Sequence, residues 1–370
     1  MKKFYQVSTP WINEVEKKNV NNALRNNELS GFFGRYIPEF EKKFSKFCKA
    51  KYAVTVNSGT TALHLALVTL GIKKGDEVIV SSLTNMASVF AILYIGAIPV
   101  PIDIEDDTYN LDVDLIEDKI TKKTRAILAV HLFGHPAEMN KILKISKKYN
   151  SKIIEDCAEA HGALYKNKMV GSIGDAGCFS FYANKIITTG EGGMITFNSK
   201  KNASRAKNLK ELAFGKGNKF MHTGIGYNYR MTNLQAALGC AQMQKIEVII
   251  DKKIKLAKLY EKYLSKNKLI HLPITKKNFK NVYWMYCIKI PTLNSLKRKK
   301  LLKQLYQKGI ETREMFIPYN LQDFYLKTEK KINCPKANKV AYNSFYLPSG
   351  TDLKEEDVKY ISGWLNKLVK

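Results

Sequence analysis

Seven short β-rich runs, set among turns and helical patterns, constrain this chain more than any other feature. They lie at 52–56, 77–81, 98–104, 125–131, 152–155, 176–181 and 193–197, and helical patterns fall between them at 61–70, 87–95, 114–119 and 139–149. Such alternation predicts an α/β layer, a mostly parallel sheet with helices on both faces, because parallel strands need long crossovers and bury both sides. After about residue 250 the pattern changes. A charged helix (252–264), an aromatic strand (282–290), a basic helix (296–307), a strand (310–316) and a closing helix from Leu353 follow, the last with Asp352 as its expected cap and Glu355 three residues on. We therefore expect a large α/β domain over 1–250, beginning with a helical segment, and a smaller α+β domain over 251–370.

Residues 78–102 carry no charge and are long enough to cross a bilayer. Ser81, Ser82, Thr84, Asn85 and Ser88 interrupt them and Pro99 and Pro101 close them, so strand, loop, helix and strand is the expected reading, with no membrane role. Lys and Arg number 61 against 33 acidic residues, a net charge of +28 that suits acidic ligands. Only seven of the 61 are Arg, and the densest run, 297–300, is flanked by Leu296, Leu301, Leu302 and Leu305 at helical spacing. It reads as the wet face of an amphipathic helix, and no nucleic-acid partner is expected. The six cysteines (48, 157, 178, 240, 287 and 334) contain no Cys-x-x-Cys pair, so neither a metal site nor a disulfide framework is indicated. No apolar segment follows the N-terminal lysines, which predicts a cytoplasmic protein.

Three segments carry chemistry. Asn57-Ser58-Gly59-Thr60-Thr61 ends a strand and opens an apolar helix. Free amides at such a start attract anions, and Gly59 admits a phosphate close to the backbone, although a plain helix cap has the same appearance. The apolar run at 153–154 ends in Glu155-Asp156, where a functional carboxylate belongs in an open α/β sheet; a helix cap or a metal-binding Asp would look alike. His161 reads as a structural histidine. The third segment, SFYANKIITTGEGGM at 180–194, sets Lys185 after an apolar strand and before a glycine-rich turn. A lysine there that loses solvation becomes an amine nucleophile; one that keeps it is an ordinary loop lysine. Together, a phosphate cradle, a strand-end carboxylate and a Schiff-base lysine are the parts a pyridoxal phosphate site needs.

With these residues in view, the chain resembles the DegT/DnrJ/StrS sugar aminotransferase family from Pro10 to the last helix. NSGTTALHLAL (57–67), GDEVIV (75–80), VHLFGHP (130–136), EDCAEAHGA (155–163), the Lys185 segment and GYNYRMTNLQAALG (226–239) carry the likeness. The resemblance implies the aspartate aminotransferase-like fold of pyridoxal-phosphate (PLP) enzymes, fold type I, whose large domain holds a mixed, mostly parallel seven-stranded sheet. It implies that Lys185 is the catalytic residue and holds the cofactor, and that Asp156 meets the ring nitrogen. Gly59, Thr60 and Ser180 would bind the phosphate, with Glu159 near the phenolic oxygen. Asn228 would reach the phosphate of a second subunit in a homodimer, and L-glutamate would donate the amino group.

The chain departs from the family pattern in two segments. Asn85 occupies the place of an aromatic residue that stacks on the cofactor ring, so stacking must come from elsewhere or give way to a polar contact. The Lys185 segment is most similar to the branch that aminates carbon 4 of GDP-4-keto-6-deoxymannose. That branch reads Glu-Thr-Arg-Pro and then His, whereas here Glu314 follows Glu311-Thr312-Arg313 and Tyr319-Asn320 stands where the His is expected. Ser30, Gly31, Arg313 and Asn320 are the expected substrate contacts. The expected function is amino transfer to a nucleotide-linked 4-keto-6-deoxyhexose for glycan synthesis. The alternatives are another ketone, such as a dTDP- or UDP-keto sugar, a 3-keto sugar or a small phosphorylated ketone, or a silent regulator or DNA-binding protein on the same fold.

Overall fold

The β-rich runs pair into one seven-stranded sheet. In the computed structural model, which describes residues 3–215, 217, 220–327 and 332–370, the strands are β1 Tyr52–Val56, β2 Glu77–Ser81, β3 Ile98–Ile102, β4 Thr124–Val130 and β5 Lys152–Asp156. A small hairpin, β6 Leu164–Tyr165 and β7 Lys168–Met169, precedes β8 Ala176–Ser180 and β9 Gly193–Phe197. Their order is β1-β9-β8-β5-β4-β2-β3. Only the two pairings of β9 are antiparallel, so the sheet is mixed and mostly parallel. β8 and β9 are buried along their whole length, which is why they read as unbroken apolar runs rather than as alternation. β1, β5 and β8 run the same way, and their carboxyl ends share one edge.

The helices of this part are α1 Glu14–Arg25, α2 Tyr36–Cys48, α3 Gly59–Thr69, α4 Met86–Tyr94, α5 Met139–Tyr149, α6 Lys200–Lys210, α7 Asn233–Met243 and α8 Ile246–Leu264. α1 starts at a reciprocal cap between Asn13 and Glu16. It packs with α2 against α7. A Cβ on Gly239 of α7 would come within 2.7 Å of the Phe40 ring of α2, so that crossing requires glycine. The uncharged stretch 78–102 forms β2, α4 and β3, and no helix among the described residues is long and apolar enough to cross a membrane. The helix expected at 114–119 is instead two 3-10 turns, Val113–Leu115 and Glu117–Lys119. Six residues are too few to repay helix nucleation, and Asp112 bonds the amide of Asp114 to start a turn.

Beyond α8, β10 Phe279–Lys280 joins the β6–β7 hairpin, and β11 Tyr286–Lys289, β12 Arg313–Glu314 and β13 Ser344–Leu347 form a three-stranded antiparallel sheet. The helices there are α9 Ser295–Gln307, α10 Asp323–Leu326, α11 Pro335–Asn343 and α12 Glu355–Leu368. Both strands expected here are shorter than the sequence suggests. Val282 and Trp284 donate their amides to Gly134 and Phe133 across the molecule, which leaves only Tyr286–Lys289 to pair with β13. Asp352 accepts from Thr9 and caps nothing; α12 begins after Lys354, whose amide bonds Asp357. In α9 the buried positions are Arg298, Leu301 and Leu305, while Leu296 is 78 % exposed. The basic run is thus mostly a wet face, except that Arg298 turns inward to Glu314 at 2.9 Å and to the carbonyl of Ser344 at 3.3 Å. Glu314 is therefore the counter-charge of a buried arginine.

Two apolar clusters result, the larger around the seven-stranded sheet and the smaller around Tyr260, Tyr286, Phe345 and Ile361 with Tyr5 from the N-terminus. α8 passes through both: Ile246, Ile249 and Ile250 serve the first, and Leu256, Tyr260 and Leu264 the second. We propose that the two domains divide within this helix, near residue 250. All six cysteines are buried and unpaired.

Candidate active site

At the carboxyl edge of β1, β5 and β8 lies a cavity of about 310 Å³, at the small end of the range for ligand sites, roughly 300–1,000 Å³. One wall is the start of α3. Ser58 is extended and its hydroxyl accepts from the Thr61 amide at 3.1 Å, while the Thr61 hydroxyl bonds back to the Ser58 amide at 3.1 Å. Gly59 and Thr60, the first two residues of the helix, have no carbonyl a turn earlier to bond, and both line the cavity. Ser180, the last residue of β8, lies against them. A Cβ on Gly59 would meet the Ser180 Cβ at 2.7 Å, so glycine is required for the strand end and helix start to meet.

Asp156 ends β5 and lines the same cavity. Its Oδ2 accepts from the Ser88 hydroxyl at 2.7 Å, and Ser88 lies 2.9 Å from the Thr84 hydroxyl. Its Oδ1 accepts from the Ala158 amide at 3.1 Å. These bonds fix the carboxylate in one orientation. Nearby, Glu155 accepts from the amides of Gly171, Ile173 and Gly174 and lies 3.2 Å from His131 Nε2, whose Nδ1 accepts from Ala137. That buried group, with Cys157 beside it, is occupied in holding the loop before β8.

Lys185 follows the turn after β8, and its amine reaches into the cavity from the protein interior. Nζ lies 3.8 Å from Glu159 Oε1 and 4.0 Å from the centroid of the Trp284 ring. Burial pushes the amine below its usual pKa, against the pull of Glu159. Burial likewise raises Glu159 to about 7, although Lys185 and the Phe133 amide, which donates to Oε2 at 2.8 Å, favour its charged form. Burial works against the charged form of each group, while each group's charge favours the charge on the other. Phe133 adopts φ 53°, unusual for a bulky side chain, and its ring stacks on Trp284 and Phe316. His161 is held neutral, its pKa drawn to about 3 by burial, and it packs edge-on to Phe44.

Seven of the eight residues expected at the cofactor, Gly59, Thr60, Asn85, Asp156, Glu159, Ser180 and Lys185, line this one cavity. Asn85 is there as the cap of α4, its Oδ1 accepting from the Ala87 amide at 3.0 Å, and the aromatic surface comes from Tyr182, Trp284, Phe316 and Tyr346. Asn228 is exposed and off the cavity, in a backbone bridge to Glu211. Ser30 and Gly31 also lie off it, Gly31 packed under Arg230. Arg313 lines an adjoining cavity of about 330 Å³ that shares Tyr182, Asn184 and Tyr346 with the first, and pairs with Glu311 at 2.7 Å. Asn320 lines neither; it is 5 % exposed and donates to Asn338 at 3.0 Å. Ser88 and Trp284 escaped the sequence reading, because no spacing rule joins residue 88 to 156 or 284 to 185. Asn184, next to Lys185, was within reach of it. Its buried Oδ1 has no partner among the described residues and leaves an acceptor at the cavity.

Pyridoxal phosphate suits this donor set. The helix-start amides and Ser180 hydroxyl match a phosphate, the gap at Gly59 admits it, and the fixed carboxylate and buried amine stand across the remaining space. Architecture and cavity together place the chain among the PLP-dependent transferases of fold type I. The chain belongs to the DegT/DnrJ/EryC1/StrS aminotransferase family, whose model matches residues 10–366, and is a PLP-dependent aminotransferase. It is 42 % identical to the GDP-perosamine synthase of Escherichia coli O157:H7, over 99 % of this chain and 98 % of that one. With the GDP-perosamine synthase of Caulobacter vibrioides the identity is 38 %, over 98 % of both. A sugar aminotransferase from Streptococcus pneumoniae, solved in its PLP form, superposes with a TM-score of 0.92 at 27 % identity, covering 99 % of this chain and all of that one.

Proposed function

We propose that the chain moves an amino group from L-glutamate to the keto carbon of a nucleotide-linked 4-keto-6-deoxyhexose, GDP-linked as for the relatives named GDP-perosamine synthase, in polysaccharide synthesis. The observation that carries the reaction is the meeting of Lys185, Asp156 and the Gly59–Thr60 helix start in one cavity. When bound, the cofactor supplies an electron sink at the carbon bearing the amino group. Asp156, held by Ser88 and the Ala158 amide, keeps the ring nitrogen protonated. Gly59, Thr60 and Ser180 anchor the phosphate. Lys185 would hold the cofactor through Nζ, and the same nitrogen, when free, is the group placed to carry a proton. Glu159 lies within reach of that nitrogen and buffers it near neutrality.

Arg313, in the adjoining cavity, is placed to meet an anionic or hydroxylated part of the sugar nucleotide, and the net charge of +28 favours a pyrophosphate-bearing substrate. Asn228, exposed in a segment with exposed Met221 and Ile225, is assigned to the phosphate of a second subunit in a homodimer. Six buried, unpaired cysteines suit a reducing cytoplasm.

The test is a panel of keto-sugar nucleotides incubated with L-glutamate and the yellow, cofactor-loaded protein. Turnover of GDP-4-keto-6-deoxymannose above the dTDP- and UDP-linked ketones is expected; preference for one of the latter overturns the substrate assignment. A protein whose visible band ignores L-glutamate and which aminates none of them overturns the reaction.

A further inference from the structure

Trp284, whose ring lies beneath the Lys185 amine, is held by one hydrogen bond from the ring and two at its backbone. Its Nε1 donates to the Asn184 carbonyl at 2.7 Å, the peptide before Lys185, and its amide donates to the Phe133 carbonyl at 3.0 Å. Its own carbonyl accepts from Lys253 Nζ at 3.0 Å. Lys253 reaches inward from α8, is 3 % exposed, and also donates to the Ser349 carbonyl at 2.6 Å, just beyond β13. No ion pair to Lys253 is found among the described residues, and its burial draws the pKa to about 7. A second buried amine thus ties the backbone of Trp284 to the C-terminal sheet, while the indole holds the segment that carries Lys185.

We propose that the Trp284 ring is the resting surface of the Lys185 amine whenever that amine is not bonded to the cofactor, and that Lys253 is a positioning residue that keeps the ring in place. A desolvated indole face stabilises a cation lying over it. An amine held between that face and Glu159 stays aimed at the cavity instead of searching its rotamers, which shortens the approach to each proton transfer. The inference rests on the assignment of Lys185 above.

Intrinsic fluorescence of the cofactor-free, full-length protein reads the contact without turnover, since the chain has only three tryptophans. Lys185→Met is expected to change the emission of the otherwise wild-type protein and to leave that of a Trp284→Phe background nearly unchanged. In the loaded enzyme, Trp284→Leu is expected to lower kcat about tenfold, or ~1.4 kcal/mol, with KM for both substrates within about twofold, and Trp284→Phe to lower it about threefold, in keeping with the weaker face of Phe. Lys253→Met, checked for folding by circular dichroism, is expected to shrink the fluorescence response to Lys185→Met. Emission indifferent to Lys185→Met, or a Trp284→Leu enzyme with wild-type kcat, overturns the resting surface. A Lys185→Ala protein that still binds pyridoxal phosphate covalently overturns the Lys185 assignment itself.

Discussion

Glu159 and Lys185 form a largely buried acid–base pair on the cavity wall, and the titration of Glu159 has a measurable sign. Burial lifts the folded-state pKa of Glu159 from 4.5 to about 7. Its protonated form therefore stabilises the cofactor-free protein fully below about pH 4.5, and that contribution is lost as the pH rises through 7. Glu159→Gln, which cannot ionise, is expected to gain stability relative to wild type between pH 5 and pH 8, by up to about 3 kcal/mol. Denaturant melts of both proteins at the two pH values measure it, and a difference that shrinks or reverses would contradict the burial argument. Gly59 makes an equally local prediction. An added Cβ would lie 2.7 Å from that of Ser180, so Gly59→Ala is expected to weaken pyridoxal phosphate binding by about tenfold or more, at a stability cost of ~1–3 kcal/mol. A titration of the visible band reads the first and a melt the second.

The elements explain what was legible in the sequence and what was not. β4, β5, β8 and β9 are visible as apolar runs because both faces are covered, and Gly59, Asp156 and Lys185 stand out because each adjoins the end of such a run. The strands β11 and β12 are shorter than their sequence patterns because their flanks bond elsewhere, Trp284 to Phe133 and Glu311 to Tyr5. Those contacts join residues that no local period relates. Ser88 is the same kind of case: α4 delivers it to Asp156 from 68 residues away. Its hydroxyl is the charged acceptor's neighbour at 2.7 Å, and such a bond is worth ~1.5–3 kcal/mol. Ser88→Ala is expected to lower kcat and cofactor affinity by about tenfold with the fold retained. Unchanged kinetics would mean that the Ala158 amide alone orients Asp156.

For the whole molecule, the proposed homodimer predicts that Asn228, which lies off its own chain's cavity, completes the site of the second subunit. Mixing Lys185→Ala with Asn228→Ala subunits, each poorly active alone, is expected to restore about a quarter of wild-type activity, because half the dimers are mixed and each mixed dimer has one intact site. No recovery after subunit exchange would confine Asn228 to its own chain. The most direct measurement of the chemistry uses the lysine-rich composition as its control. Borohydride reduction of the yellow protein fixes the cofactor wherever an amine holds it, and peptide mass mapping then finds the residue. Label on Lys185 alone is expected, lost in Lys185→Ala with no other lysine taking its place; label on a different lysine, or none, would contradict the site described above.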